Sequence, residues 1–187
     1  MLRTCLYLVA SVVLLQGAAH ADDGVGIPGL RLDMPIDAVK ERFGLQPEKP
    51  HPGPMALPVF PGTFDGTIPY KLAGYSFDVT VETDLKTNRV DFFSLHQYYP
   101  RNTVLPNFKE IETALTEKYG EPFTVQVHND LTHTYDNRQF WLSNGAEIEY
   151  IYGDRSSFGD PFVVIYYHNT AYGQHRATTL SALANGL

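Results

Sequence analysis

Two short amphipathic segments, each with a defined beginning and end, constrain the fold of this chain more than any other feature. In segment 107–122, apolar residues recur at three- and four-residue spacing, which places them on one face of a helix. These residues are Phe108, Ile111, Leu115 and Tyr119. Asn107 is the predicted N-cap, Gly120 offers the left-handed residue that ends a helix, and Pro122 prevents the helix from resuming.

Segment 35–44 repeats this arrangement near the start of the chain. Its apolar stripe consists of Ile36, Val39 and Phe43. Asp33 is the predicted N-cap, Gly44 ends the helix, and Pro47 follows. Because each helix has a single apolar face, each one needs another layer of structure to pack against.

The pattern between and after these helices changes to a period of two, which is typical of strands with one buried face. Asn144-Gly145 favours a type I′ turn and predicts a tight hairpin around it. The predicted strands are Tyr75–Glu82, Val90–Tyr99, Phe123–Val127, Phe140–Ser143, Ala146–Tyr152 and Phe162–His168. We therefore expect an α+β fold, an antiparallel sheet with the helices packed on one face.

The order of elements also predicts an internal duplication. Two segments, about 30–99 and 107–168, have the same order of features. Each contains a helix, an aromatic residue followed by glycine, a stretch with proline, and then antiparallel strands. The offset between Gly44 and Gly120 is about 76 residues, longer than a solenoid repeat, so two such units would share one core. Residues 22–187 are accordingly expected to form a single domain.

Residues 1–21 have the three parts of a secretory signal peptide, with Arg3, an apolar run and the small residues Ala19-His20-Ala21. We expect cleavage after Ala21 and an exported, periplasmic or secreted protein. The single cysteine, Cys5, lies within the removed segment, which predicts a mature protein with neither a disulfide nor a lipid anchor.

The net charge of −7 is spread along the chain without any cluster of Lys and Arg. This balance argues against binding to nucleic acids and to anionic membranes. It is compatible with a cationic partner.

Residues 45–69 hold seven of the thirteen prolines, which excludes a helix and makes a central strand improbable. The segment also contains Phe60 and Phe64 and is too apolar for a solvated linker. Two interpretations stay open: it is a binding lip, or it is a structural wrap that covers a sheet edge.

Aromatic residues supply the stronger indication of a binding surface. Adjacent tyrosines alternate along the predicted strands, so one member of each pair must face away from the core. Exposed Tyr and Trp side chains on a sheet are favoured anchors in protein interfaces. The candidate binding residues are Phe60, Phe64, Tyr99, Trp141, Tyr152 and Tyr167.

Residue sets with catalytic potential are sparse. His128, Asp130 and His133 fall within six residues and are candidate metal ligands, with His168 elsewhere in the chain. They are also explained as polar residues of a loop between strands. Two carboxylates on one face of a strand, Glu147 and Glu149, have the chemistry for glycoside hydrolysis or form an outward acidic surface.

The pattern of helix, glycine and antiparallel strands resembles that of small exported bacterial proteins of the β-lactamase-inhibitor-protein type and of the small-lipoprotein type of the outer-membrane barrel-assembly machinery. The resemblance is carried by Leu32–Val39 with Phe43-Gly44, and by Leu115–Tyr119 with Gly120–Pro122. It implies a protein-binding function without catalysis. This chain departs from the pattern in its proline-rich insertion and in the lack of a lipid-attachment cysteine.

Taken together, these features predict a non-enzymatic exported protein-binding module, of an inhibitor or immunity type, that needs no cofactor. A metal-dependent or carboxylate-based hydrolase is the first alternative. A carrier of small ligands, with the ligand held between the sheet and the proline-rich segment, is the second.

Overall fold

The computed structural model describes residues 24–49, 59–69, 71–101, 103–106, 108–129, 134–153 and 161–174; within 124–129 and 134–138 only the backbone is described. Residues 172–174 are helical, and two longer helices and ten strands are found in the other parts of these ranges. They are β1 (Gly26–Ile27), β2 (Leu30–Arg31), α1 (Ile36–Phe43), β3 (Gln46–Pro47), β4 (Thr63–Thr67), β5 (Asp78–Asp84), β6 (Arg89–Tyr98), α2 (Lys109–Tyr119), β7 (Thr124–Asn129), β8 (Thr134–Ser143), β9 (Ala146–Gly153) and β10 (Phe162–Asn169).

Eight of the strands form one antiparallel sheet in the order β3-β4-β5-β6-β10-β9-β8-β7. The predicted α+β class with an antiparallel sheet is therefore confirmed. The four strands that follow α1 make one half of the sheet and the four that follow α2 make the other. The two halves meet where β6 pairs with β10.

The buried faces of both helices belong to one hydrophobic core. They are the predicted stripes: Ile36, Val39 and Phe43 on α1, and Ile111 and Leu115 on α2. Alternate residues of the sheet complete this core and define what we call the core face. They include Val79, Val81, Phe93, Leu95, Ile148, Tyr150, Val163, Ile165 and Tyr167.

Both helices end at the predicted glycines. Gly44 adopts the left-handed conformation, with φ 62° and ψ 30°, and donates its backbone N–H to Lys40 O. Gly120 also has a positive φ, 84°, and donates to Thr116 O. A side chain at either position would strain the backbone, which explains why glycine follows the aromatic residue in both helices.

The predicted cap of α1 is wrong. The N-cap position is held by Pro35, and no side chain caps the helix. Asp33 has φ 65° and donates its backbone N–H to Val90 O at 2.8 Å. Its backbone therefore joins the residues before α1 to β6, and its side chain makes no cap. Asn107, the predicted cap of α2, lies outside the described residues.

The glycine-rich lead-in forms a small hairpin of β1 and β2 that packs on the core. Val25, Ile27 and Leu30 are buried there. Tyr119 at the end of α2 holds the hairpin in place: its hydroxyl donates to Gly26 O at 3.0 Å and accepts from the Gly26 N–H at 3.2 Å. Burial raises the pKa of Tyr119 to about 12.

Two further predictions are settled by the backbone. Asn144 and Gly145 have φ values of 48° and 75°, as a type I′ turn requires, and they join β8 to β9. Segment 45–69 is not wholly irregular, because it supplies β3 and β4, which extend the sheet beyond β5. Within the described part of the chain, neither helix has the length and apolar character needed to cross a bilayer.

Candidate interaction face

The strand residues that alternate with the core face lie on the opposite side of the sheet, which we call the second face. On β4, β5 and β6 this face is mostly polar. It carries Asp65, Thr67, Asp78, Thr80, Glu82, Phe92, Ser94, His96 and Tyr98. On β9 and β10 it carries Glu147, Glu149, Ile151, Phe162, Val164, Tyr166 and His168.

An open depression of about 390 Å³ lies on the second face where β3, β4, β5 and β6 run side by side. Three carboxylates and one imidazole contribute to its wall. The lining residues are Glu48, Asp65, Gly66, Thr67, Asp78, Val79, Thr80 and His96. We refer to this site as the acidic depression.

Threonine hydroxyls fix two of the carboxylates. Thr67 Oγ1 donates to Asp78 Oδ1 at 2.8 Å, and Thr80 Oγ1 donates to Asp65 Oδ1 at 2.7 Å. Each bond joins neighbouring strands, so the strand register itself places these pairs together. The carboxylates are thereby held in one orientation before any partner binds, which reduces the entropic cost of binding.

His96 forms part of the wall and lies directly across from Asp78 on β5. Burial lowers the pKa of His96, and the charges of Asp78 and Asp65 oppose that shift without cancelling it. The imidazole is therefore neutral at pH 7. The depression consequently gains no positive charge from His96 at that pH.

Tyr98 lies two residues beyond His96 on the same face of β6, and the two ring centroids are 5.9 Å apart. Its side chain is 54 % exposed. A large aromatic residue at the edge of a charged depression is a typical anchor in protein interfaces.

The second face is not exposed along its whole width. Ile151, Phe162 and Val164 form a separate buried cluster on it, with Val164 only 3 % exposed. Part of the second face is therefore closed to a partner. Exposed residues of this face lie on both sides of that cluster, among them Asp78 on β5, Tyr98 on β6 and Leu142 on β8.

Two of the predicted binding residues are core residues. Trp141 and Tyr167 are each 1 % exposed. Trp141 donates from Nε1 to Gly120 O at 2.8 Å, and Tyr167 stacks on Phe93 at 4.4 Å between ring centroids. Their assignment as surface anchors is corrected, since a partner cannot reach them in this structure.

The other four predicted binding residues are half-buried, and none of them lines the acidic depression. Tyr99 and Tyr152 pack on the core beside Phe108. Phe64 packs on the core as well, with Lys40 Nζ 4.0 Å from its ring centroid. Phe60 precedes β4 and accepts a backbone hydrogen bond at its carbonyl from Thr63.

Adjacent tyrosines do point to opposite faces, but the member that faces outward is not the one predicted. Tyr98 and Tyr166 lie on the second face. Tyr167 lies in the core, and Tyr99 packs against the core. Which member faces the core depends on how β6 and β10 are paired, and the alternation within one strand does not determine that.

Most of the predicted metal ligands lie outside the described residues. Asp130 and His133 lie outside these residues, and so does the side chain of His128. His168 has its Nε2 3.8 Å from Glu147 Oε1, which makes a weak pair on the second face. Among the side chains that the structure describes, there is no group of three His, Cys, Asp or Glu residues placed to hold a metal ion.

The fold and the site together define an α+β protein with a concave acidic surface on one side of its sheet. No family model, curated protein or solved structure matches this chain. The function is therefore argued from the geometry of the second face and from the charges on it.

Proposed function

We propose that this chain is an exported, non-enzymatic protein-binding module of the inhibitor type, and that the acidic depression receives basic side chains of a cationic partner. The observation that carries this proposal is the group of fixed carboxylates at Asp65 and Asp78 beside the exposed ring of Tyr98. Lys and Arg side chains satisfy both the charge and the hydrogen-bonding capacity of such a site.

Charge supports a cationic partner in two ways. The chain as a whole carries a net charge of −7, which steers a basic protein toward it over long range. At short range, His96 is neutral at pH 7 and does not offset the carboxylates of Asp65 and Asp78. Ordering of both carboxylates by threonine hydroxyls favours a fast and specific encounter.

The architecture supports the same use of the sheet. Each half has one helix and four strands, and the last strands of the two halves, β6 and β10, pair at the centre. We infer from this symmetry that the two halves are duplicated units. The apolar residues of both helices belong to one core cluster, and Asp65, Asp78 and Tyr98 on β4, β5 and β6 remain partly or fully exposed.

The shape of the depression favours a side chain of a macromolecule over a small apolar ligand. Carrier sites usually enclose most of the ligand in a largely apolar cavity. The depression of about 390 Å³ is open to solvent and is lined mainly by Asp, Glu, Thr and His residues. A protruding Lys or Arg residue fits such a surface without further closure.

A capture experiment with matched variants tests the proposal. The mature chain, a D65N/D78N variant and a D37N variant are each immobilised and exposed to the exported proteins of the source. Asn keeps the hydrogen-bond acceptor but removes the charge, and Asp37 is an exposed acid on α1, away from the site. We expect a basic protein to be retained by the wild type and by D37N, and lost with D65N/D78N; equal retention by all three would refute the proposal.

A further inference from the structure

The chain turns back over the second face immediately after β10. Asn169 Nδ2 donates to Asp91 Oδ1 at 2.9 Å, and the Thr170 N–H donates to Gly145 O at 3.1 Å. These two bonds lie at the end of β10, and Tyr172, three residues after Asn169, contacts β6 and β5.

Tyr172 is the residue that this turn places on the second face. Its ring stacks on Phe92 with 4.9 Å between centroids and an interplanar angle of 17°. Its hydroxyl donates to Glu82 Oε2 at 2.6 Å. His168 lies beside the same ring, with the centroids 5.8 Å apart. An aromatic ring with one hydrogen-bond donor therefore occupies an aromatic and acidic subsite formed by Phe92 and Glu82.

This subsite continues the acidic depression along the same two strands. Glu82 lies four residues beyond Asp78 on the same face of β5, and Phe92 lies four residues before His96 on β6. At the rise of an extended strand, that separation is roughly 13 Å. One partner surface can therefore reach both places.

We propose that Tyr172 is an internal cover that fills the Phe92–Glu82 subsite in the free protein, and that an arginine side chain of the cationic partner replaces it in the complex. The inference rests on the proposed function and adds to it a second subsite, the chemistry of its occupant and an autoinhibitory contact. The position of Tyr172 carries it, because the side chain now seated there shows which groups the subsite accepts.

Arginine matches the subsite better than lysine does. Its planar guanidinium stacks on an aromatic ring as the Tyr172 ring does, and it donates two parallel hydrogen bonds to a carboxylate where a phenol donates one. A lysine ammonium reproduces the charge without the planar stack.

The incoming guanidinium replaces both the stack on Phe92 and the hydrogen bond to Glu82 that Tyr172 makes in the free protein. Glu82 is 7 % exposed, so removal of Tyr172 without replacement would leave a desolvated carboxylate with a lost hydrogen bond. An incoming guanidinium restores that bond and the stack on Phe92. Opening loses the contacts of Tyr172 with Phe92, His168 and Glu82, and this loss lowers the affinity of the wild type.

Calorimetry at fixed ionic strength tests this inference. It measures the binding of acetylated hexa-arginine amide to the mature wild type, Y172A, Y172F and E82Q/Y172A. Hexa-lysine of the same length is the control peptide. We expect Y172A to bind hexa-arginine roughly two- to tenfold more tightly than the wild type, the size of one aromatic contact. The affinity of Y172F for hexa-arginine should fall between those two values. The added E82Q substitution should abolish the gain in affinity. The gain of Y172A in affinity for hexa-lysine should be smaller.

The outcomes separate this inference from the proposed function. If the wild type binds hexa-arginine through Asp65 and Asp78 but Y172A binds no more tightly, the cover is refuted and the proposed function stands. If D65N/D78N and the wild type bind equally, the proposed function fails whatever Y172A does.

A measurement on the wild type alone covers the case in which Y172A does not fold. Hydrogen exchange is followed with and without saturating hexa-arginine. We expect amides at 170–174 to exchange faster in the complex while amides of β5 become protected. Unchanged or slower exchange at 170–174 would overturn the inference.

Discussion

Asp78 on β5 and His96 on β6 are direct cross-strand neighbours, and both line the acidic depression. Burial lowers the pKa of His96 while the carboxylate opposite raises it, and burial has the larger effect. His96 is therefore a neutral imidazole at pH 7 beside this carboxyl group. This relationship makes the charge of the site depend on pH.

Replacement of His96 by Gln should flatten the dependence of stability on pH below neutrality. Because the folded state lowers the pKa of His96 below its usual 6.5, the unfolded chain takes up this proton first as the pH falls. The contribution of His96 to stability is therefore fully present above pH 6.5. It is lost as the pH falls toward the pKa of His96 in the folded protein. Urea unfolding of the wild type and H96Q between pH 5 and 8 measures this; identical profiles would contradict it.

Neutralisation of Asp78 should weaken the binding of hexa-arginine amide. One exposed charge pair contributes little, so D78N should reduce affinity about two- to fivefold, and the reduction should shrink at high salt. D37N is the control, since Asp37 is an exposed acid that pairs with Lys40, 3.7 Å away on the same helix. Equal losses for D78N and D37N would show that net charge alone drives binding.

Trp141 should be important for stability and not for binding. W141F removes the hydrogen bond from Nε1 to Gly120 O in a position that is 1 % exposed, and we expect a loss of about 1–3 kcal/mol in the free energy of unfolding. L142A at the next position is the matched control, because Leu142 is 59 % exposed and its truncation should cost less than about 0.5 kcal/mol. Similar losses from both variants, measured by urea unfolding, would count against this account of Trp141.

The two helix stripes and the hairpin turn could be predicted from the sequence because they are local. Ile36, Val39 and Ile111 are buried as their spacing indicates, and Asn144-Gly145 adopts the positive φ values that its residue types favour. The incorrect helix cap at Asp33 is also local, but there the backbone bond to β6 overrides the side-chain preference.

The acidic depression could not be predicted, because it depends on pairing between distant strands. Asp65 lies beside Thr80 only because β4 pairs with β5 in that register, and the proline-rich segment gave no strand pattern from which to expect β4. One signal was available in part: the polar set Asp78, Thr80 and Glu82 alternates with buried valines. Its partner set on β6 includes His96 and Tyr98, which alternate in the same way.

Removal of the Tyr119 hydroxyl should reduce the sensitivity of the fold to alkaline pH. Burial raises the pKa of Tyr119 from 10.0 to about 12, so the unfolded chain loses this proton first as the pH rises. Stability is therefore present below pH 10 and declines toward pH 12. Y119F should lose about 1 kcal/mol at pH 7, through the bonds to Gly26, and should show a shallower decline from pH 10 to 12. The free energy of unfolding of both proteins is measured across that range. A parallel decline of the two free energies would contradict the account.

The most direct test of the central claim is an NMR titration of the mature chain with hexa-arginine amide, followed through backbone amide shifts. The account predicts that the largest shifts fall on β4, β5 and β6, around Asp65, Asp78 and His96, and that D65N/D78N removes them. Shifts concentrated on the outer surfaces of α1 and α2, or shifts unaffected by the double substitution, would contradict it.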